Sequence, residues 1–493
     1  MRSRIVSTVV LATLATGCLD RLGAPLPALD KSVLIAEENL HAGLQDWDAR
    51  LDDKTDAPTA GFVVPFSAQS GDTLHVYVTS SGSHVKIQIL RLGWYSGMGA
   101  RLLAERMEKS VAPQPPCSAP SPGPSVCPWT ETDRLMIDPS WVPGVYLAKF
   151  IDANGGGGSF PFIVRSPGPV KFQVILPFAT YQAYNNWGGT SLYVGPGQTI
   201  GEQRANRAVK VSFARPFNVP QMNHNFFGTD YLLIRWLEKN AYDVGYLSDY
   251  DFHLGRAIDW TSSAWLFSGH SEYWSWPMWT RAVAGREAGI SLGFLGGNDI
   301  YWVMRYEEAT LVNATAPVVV CYRDAATDPE GSVPGLATVP FRASPNNTPE
   351  NSLVGTMSAP PNEIVSGGSA DLVVNAKSTD PLLAGTGLDS GMHISKAAGW
   401  EGDRIVDNGA SPQGIRVYFE VPYRPTADSM TNAVFQSTLY RWPSSRALVY
   451  SAGQPGFAWT LSTYGPYLER PGIGRFLSNL LMAFERSGSG QTP

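Results

Sequence analysis

The sequence predicts two parts: an all-β sandwich over residues 31–166, then an α/β domain with a doubly wound, mostly parallel sheet over 167–487. Three observations predict it. Residues 72–78 and 85–90 alternate polar and apolar side chains around the turn Ser80-Ser81-Gly82-Ser83, as half-buried strands do. Ser166-Pro167-Gly168-Pro169 is a linker by composition. Beyond it, apolar runs at 172–176, 242–247, 264–268 and 290–295 alternate with helical periodicity, the signature of β-α-β units. At 493 residues the chain exceeds one ordinary domain, and 43% hydrophobic content supplies ample core.

In chain order, Arg2 and Arg4 precede an apolar stretch, 5–15, that ends in Ala15-Thr16-Gly17-Cys18. This reads as an export signal with a lipobox over 1–18, Cys18 being the lipidated residue and plain secretion the alternative. The run is shorter than the roughly 20 apolar residues a membrane span needs. Residues 19–30 read as a tether. Further strands are expected at 146–150 and 160–164. Gly93-Trp94-Tyr95-Ser96-Gly97-Met98-Gly99 reads as a packed hairpin corner, or else as a contact with substrate or the neighbouring domain. Cys117 and Cys127 bracket a Pro/Ser-rich loop and read as a disulfide of an oxidising compartment. The remaining Cys321, in Val318-Val319-Val320-Cys321-Tyr322, reads as inert core.

After the linker, Thr229 is expected to cap a helix bearing Leu232, Leu233, Trp236 and Leu237 and ending at Asn240. Pro277 opens another that stops at Gly289. Residues 324–368 are irregular and long enough for an excursion over a site. Strands return at 415–421 and 447–450, a helix spans 476–484, and 488–493 form a disordered tail. The formal net charge of -6 gives no electrostatic case for nucleic acid or an anionic membrane surface, so a lipid on Cys18 is the one membrane contact expected.

The chemistry concentrates at strand ends, where open α/β sheets bind ligands. Gly269-His270-Ser271-Glu272-Tyr273-Trp274 follows one buried run, and Gly296-Gly297-Asn298-Asp299 follows the next. The loop after the first, from Thr180-Tyr181-Gln182-Ala183-Tyr184-Asn185 to Tyr193, is dense in phenols and amides. His270 and Glu272 are the first candidates. Ser271 sits in a string close to Gly-x-Ser-x-Gly, so a nucleophile elbow is a second reading, against which Tyr273 fills the place of the final small residue.

These strings, together with Arg91-Leu92-Gly93-Trp94-Tyr95, Gly144-Val145-Tyr146, Asn347-Thr348-Pro349-Glu350 and Gly399-Trp400-Glu401-Gly402-Asp403-Arg404, resemble the family of the N,N-dimethylformamidase large subunit. The likeness spans nearly the whole mature chain. It implies a β-sandwich followed by a class I glutamine-amidotransferase-like domain, and hydrolysis of a small amide by a mononuclear Fe(III) ion held by two tyrosines and a glutamate. On this chain the matching ligands are Tyr184, Tyr193 and Glu272. Tyr181 is the rival for the first place; the family tolerates Trp there, which favours Tyr184. His270 and Glu401 match a His–Glu pair beside the metal. From their positions, Asn185 and Asn298 are expected to donate to a developing oxyanion. Phenolate and carboxylate oxygens are hard donors suited to Fe(III), whereas zinc recruits His or Cys.

Ser271 departs from the Asp that relatives carry. Export disfavours dimethylformamide itself as the substrate. The enzyme of the family also uses a small subunit, so such a partner, like self-association, stays open. Outside enzymology, the alternative is a cell-surface module binding glycan or peptide.

Overall fold

A computed structural model describes residues 31–48, 58–117, 124–195, 206–218, 222, 224–358, 370–399, 401–423 and 433–488. The expected signal, the lipidation site Cys18, the tether, and residues 489–493 of the expected tail lie outside them. Helix α1 (Val33–Glu38) precedes eight strands: β1 (Thr59–Val64), β2 (Ser67–Ala68), β3 (Thr73–Ser80), β4 (His84–Leu92), β5 (Ala100–Ser110), β6 (Asp133–Met136), β7 (Gly144–Ile151) and β8 (Ser159–Val164). They form two sheets, β1-β3-β6 and β2-β8-β7-β4-β5, with β1 packed across β7 and β8. β1 and β8 are buried along their whole length. β8 shows why: β1 covers it on one side, and a strand from beyond the linker also packs on it. Two-sided burial removes the need for polar alternation. Cys117 and Cys127 form the expected disulfide.

Beyond the linker come β9 (Phe172–Leu176), α2 (Phe178–Tyr184), β10 (Lys210–Ser212), α3 (Tyr231–Lys239), β11 (Val244–Ser248), α4 (Asp249–Leu254), β12 (Ala264–Gly269), β13 (Tyr273–Trp274), α5 (Trp276–Glu287) and β14 (Ser291–Gly296). Then follow β15 (Trp302–Val303), β16 (Arg305–Thr310), β17 (Thr315–Val320), α6 (Asn351–Val354), β18 (Ala370–Val374), β19 (His393–Ala398), β20 (Arg416–Tyr423), β21 (Ala433–Arg441), β22 (Leu448–Ser451) and α7 (Pro471–Gly488). The main sheet has nine strands in the order β11-β9-β12-β14-β22-β21-β20-β18-β19.

The first five are parallel and the rest join antiparallel. The chain is therefore β-rich, and the doubly wound sheet expected from the sequence is corrected to a mixed one. The α/β alternation holds for the parallel half alone. Hairpins supply the other half, and one strand of them, β21, lies between the two segments, 415–421 and 447–450, that the sequence pattern picks out.

Local chemistry explains the helix ends. Ser248 and Asp251 form a capping box at α4, and Gly255, at φ 71°, closes it. The helix expected from a Thr229 cap instead follows a π-helical turn, Phe226–Asp230, in which Thr229 Oγ1 bonds back to Asn225 O. Among the described residues no helix is long and apolar enough to cross a membrane.

The loop at 93–99 turns out to be a contact with the chain beyond the linker. Tyr231 donates to Gly99 O at 2.9 Å and Arg235 to Gly97 O at 3.0 Å, with the Arg235 guanidinium 5.1 Å from the Trp94 ring. Beside it, Arg91 of β4 meets Glu238 of α3 in a fork with N–O distances of 3.0–3.1 Å, both side chains 0% exposed. Tyr246 donates to the same carboxylate at 3.2 Å, and Val142 O and Pro143 O accept from Arg91. The pair is thus fully bonded in a dry seam.

Breaking one side of a buried pair leaves an uncompensated charge. Arg91→Met should lower the unfolding free energy by about 3–5 kcal/mol, read from urea melts, and Arg91→Met with Glu238→Leu should recover most of that loss. A double variant as unstable as the single would contradict the account.

Candidate functional site

The site is built where β12 and β14 end. Gly269 has φ 60°, and a Cβ there would meet the Asp230 carboxylate at 2.6 Å. Gly296 lies so close to the Gly269 carbonyl that a Cβ would stand 1.4 Å from its oxygen. Only glycine allows this approach. The left-handed turn at Gly269 leads into His270, Ser271 and Glu272. The pairing of β13 with β15, Tyr273 opposite Trp302, holds the segment after them.

His270 Nδ1 lies 2.8 Å from Gly297 O, so that nitrogen carries the hydrogen and donates it. Nε2 then faces Tyr184 Oη at 3.4 Å, Glu272 at 3.4 Å and Glu401 at 3.5 Å. Burial works against charging the ring. The hydrogen bond to Glu272 and the charges of Glu401 and Glu272 overrule it, raising the pKa to about 10. Glu272 accepts from Tyr193 Oη at 2.7 and 2.8 Å and from Trp302 Nε1 at 3.1 Å. Its backbone N–H donates to Thr180 Oγ1 at 3.2 Å. Burial favours the neutral acid, yet His270 and Arg323 outweigh it and hold the pKa below the usual value.

The Tyr184 and Tyr193 rings stack 4.2 Å apart. Burial first, and the Glu272 charge next, push both phenols well above their ordinary value. Beneath the cluster lie further buried carboxylates: burial raises Asp230 to about 6 and Asp403 to about 7.

The geometry sorts the sequence candidates. It brings together Tyr184, Tyr193, Glu272, His270 and Glu401. Tyr181, the rival, points elsewhere, donating to Asp230 at 2.6 Å. Asn185 is corrected: its amide donates to Gln182 Oε1 and Pro216 O, and its oxygen accepts from the N–H groups of Trp187 and Asn218. It braces the loop and has no donor left for an oxyanion. Asn298 is at the site, but its amide donates to the Glu401 carboxylate, fixing that residue. Ser271 Oγ accepts from Trp274 Nε1 at 2.8 Å, while both nitrogens of His270 address other partners, so the elbow reading finds no base there. Cys321 is buried with Sγ 3.7 Å from Val303 O, and burial pushes its thiol far up.

Sequence reasoning missed Arg323 and gave no role to Thr180 or Trp302, although both lie in or directly beside the strings it singled out. The Arg323 guanidinium lies 3.9 Å from the Tyr193 ring and 4.9 Å from Trp302, and it donates to Tyr273 Oη. Its φ of 62° marks a constrained backbone, which no pattern in the sequence announces. The loop after β17 lies beside the site. Val339 O accepts from Val303 N, and Phe341 N donates to Tyr301 O, so this loop buttresses the strand of Trp302.

Ligand atoms of His270, Glu272 and Glu401 lie within 4.8 Å of one another. With the two phenols, they make an oxygen-rich donor set that fits a hard cation. Binding would displace the Tyr193 phenolic proton that Glu272 now accepts in a hydrogen bond.

A family model described as N,N-dimethylformamidase beta subunit-like, C-terminal, matches residues 86–470. No curated protein matches. Among solved structures, a Paenibacillus sp. cycloisomaltooligosaccharide glucanotransferase, crystallised with cycloisomaltoheptaose, is 10% identical over 54% of this chain and 34% of that chain. Its TM-score of 0.13 carries no argument.

The helix bearing Tyr184 is anchored by Asp249, whose Oδ2 accepts from Ala179 N at 2.7 Å. Burial raises this acid from 3.8 to about 8. A raised folded pKa contributes stability that is fully present below the unfolded value and is lost as pH rises through the folded one. Wild-type stability should therefore fall between pH 4 and pH 8 by up to about 1.4 kcal/mol per unit from this group. Asp249→Asn should remove that slope, gaining on wild type in urea melts at pH 8 relative to pH 5. An equal difference at both pH values would contradict it.

Proposed function

The chain belongs to the N,N-dimethylformamidase beta subunit-like family, and from that premise we propose that it is an exported, metal-dependent hydrolase of the C–N bond of a small amide. The family suggests a dimethylformamidase-like hydrolase. One observation carries the finer reading: two phenols, a carboxylate and a His–Glu pair converge at the carboxyl ends of adjacent parallel strands. Tyr184, Tyr193 and Glu272 would hold a ferric ion, which when bound supplies Lewis acidity toward an amide carbonyl and a water.

The chain's own residues supply the proton chemistry. Nδ1 of His270 is tied to Gly297 O, so Nε2 is the nitrogen that takes a proton from water and returns one to the leaving amine. Glu272 and Glu401 draw that imidazole up to about 10, too basic to cycle near neutrality. Were Glu272 to hold a cation, its pull on the imidazole would weaken and the ring would become less basic. Glu401, fixed by Asn298, steadies the imidazolium while it holds the proton. Buried Tyr193 and half-buried Trp302 shield from bulk water the carboxylate they bond.

Export is supported by the Cys117–Cys127 disulfide, which belongs to an oxidising extracytoplasmic setting. We place the lipid on Cys18 on the strength of its lipobox-like context.

Turnover of short-chain formamides and acetamides by the iron-loaded protein tests the reading. His270→Asn should lower kcat by about 100-fold or more with the melting temperature preserved. Glu401→Gln should fall in the same direction and narrow the pH profile. A hydrolysis rate unchanged in His270→Asn would overturn the assignment of the base.

A further inference from the structure

The chain between the two phenols, residues 185–192, runs from the end of α2 to Tyr193. It turns through Gly188 and Gly189, at φ 78° and 92°, and returns so that the Tyr184 and Tyr193 rings stack 4.2 Å apart. Leu192 N donates to Ala183 O at 3.0 Å and closes the loop at its mouth. One side chain fills its middle, that of Arg215.

Arg215 follows β10, which pairs with β17. The backbone that delivers it is pinned on two sides. Phe213 N donates to Pro317 O at 2.9 Å, and Cys127 N, from the disulfide, donates to Ala214 O at 2.9 Å. The Arg215 guanidinium is 0% exposed, and all five of its N–H groups are used. Nη2 donates to Gln182 O at 3.0 Å and Asn185 O at 2.8 Å, at the end of α2. Nη1 donates to Trp187 O at 3.0 Å and Thr190 O at 2.9 Å, further along the loop. Nε donates to Gln182 Oε1 at 3.1 Å.

A buried cation that meets no carboxylate is costly. Burial lowers the Arg215 pKa to about 9, which leaves the group charged at neutral pH. Oxygens of one loop carry that cost, so cation and loop order each other. Lysine is no substitute, because its donors radiate from one nitrogen while these acceptors need a planar fork. The placing of the acceptors gives the arrangement its function. All lie in the last turn of α2 or between the two phenols, and none lies on the main sheet. Loss of the guanidinium would therefore shift Tyr184 against Tyr193 before it disturbs β12 or β14.

We propose that Arg215 is a positioning residue of this site, fixing Tyr184 and Tyr193 against one another at the spacing a single shared cation uses. Ligands of one ion must be held to within about half an ångström, and a loop turning through two glycines does not do so unaided. The purpose of the clamp rests on the metal-site reading above; its geometry does not.

Amide exchange on the iron-free protein, followed by iron titration, tests the clamp in Arg215→Lys. Residues 185–193 should exchange at least about tenfold faster than in wild type, with β12 and β14 at wild-type rates. Iron affinity should fall by about 10- to 100-fold, and the charge-transfer band of the iron that binds should move. Arg91→Met, which lowers global stability at the α3 seam, should show the reverse: faster exchange in β12 and β14 and an unmoved band. If Arg215→Lys does not fold, Gln182→Met, which removes one acceptor and keeps the guanidinium, is read in its place and should move the same quantities in the same direction. Wild-type exchange in the loop of the folded variant, or acceleration shared equally by β12 and β14, would overturn the proposal. So would wild-type affinity and an unmoved band in a variant whose loop has opened. Wild-type protein that takes up no iron would overturn the metal reading alone, and the exchange pattern of the iron-free protein would still decide the clamp.

Discussion

The Glu272 carboxylate is the interaction on which the site depends. Taking one ionised carboxylate out of water costs several kcal/mol, and neutral protein offers little to offset it. Here the offset comes from four directions. Tyr193 and Trp302 donate to it, His270 faces it, and Arg323 lies within electrostatic reach across the Tyr193 ring. Hydrogen bonds to a charged group contribute about 1.5–3 kcal/mol each, so this set is enough to keep the group ionised. The same set brings donors from four separate stretches of chain to one point. A cation and the Tyr193 phenolic proton would then compete for the same oxygens.

That convergence needs a rigid frame. Two glycines let the ends of β12 and β14 close to backbone contact, and the turn they permit leads into His270 and Glu272. Asp249 fixes the start of the helix with Tyr184, and the loop after β17 buttresses the strand of Trp302. The Arg91–Glu238 fork joins the N-terminal sheets to the same body through α3. Because both side chains are wholly buried and bonded, that seam resists slippage more than an exposed ion pair would. Preorganisation of this kind lets a donor set act without paying for reordering at each turnover.

Much of this was legible in the sequence, for identifiable reasons. Apolar runs bounded by glycine located β9, β12 and β14 within a residue or two, because parallel strands are buried on both faces. Pro277 and Gly289 framed α5 by simple cap chemistry. The strings around His270 and Tyr184 identified the family, which the match over 86–470 bears out.

What failed was non-local. The antiparallel half of the sheet depends on which hairpins pair, which a periodicity pattern does not report, even though Pro443-Ser444-Ser445 marks the turn after β21. Asn185 looked like a donor because amides at strand ends often are; its partners, Gln182 and Pro216, are visible only once the loop is folded. Arg323 lies far from the motifs in sequence and reaches the site by stacking on aromatic faces, an interaction with no fixed spacing.

The central claim is that this donor set holds a hard cation through phenolate and carboxylate oxygen. Metal content and the visible spectrum of the purified mature protein address it most directly. The account predicts near-stoichiometric iron with a tyrosinate-to-iron charge-transfer band, both lost in Glu272→Ala, and the band diminished in Tyr193→Phe. Colourless protein that takes up no iron on reconstitution, while remaining folded, would contradict it.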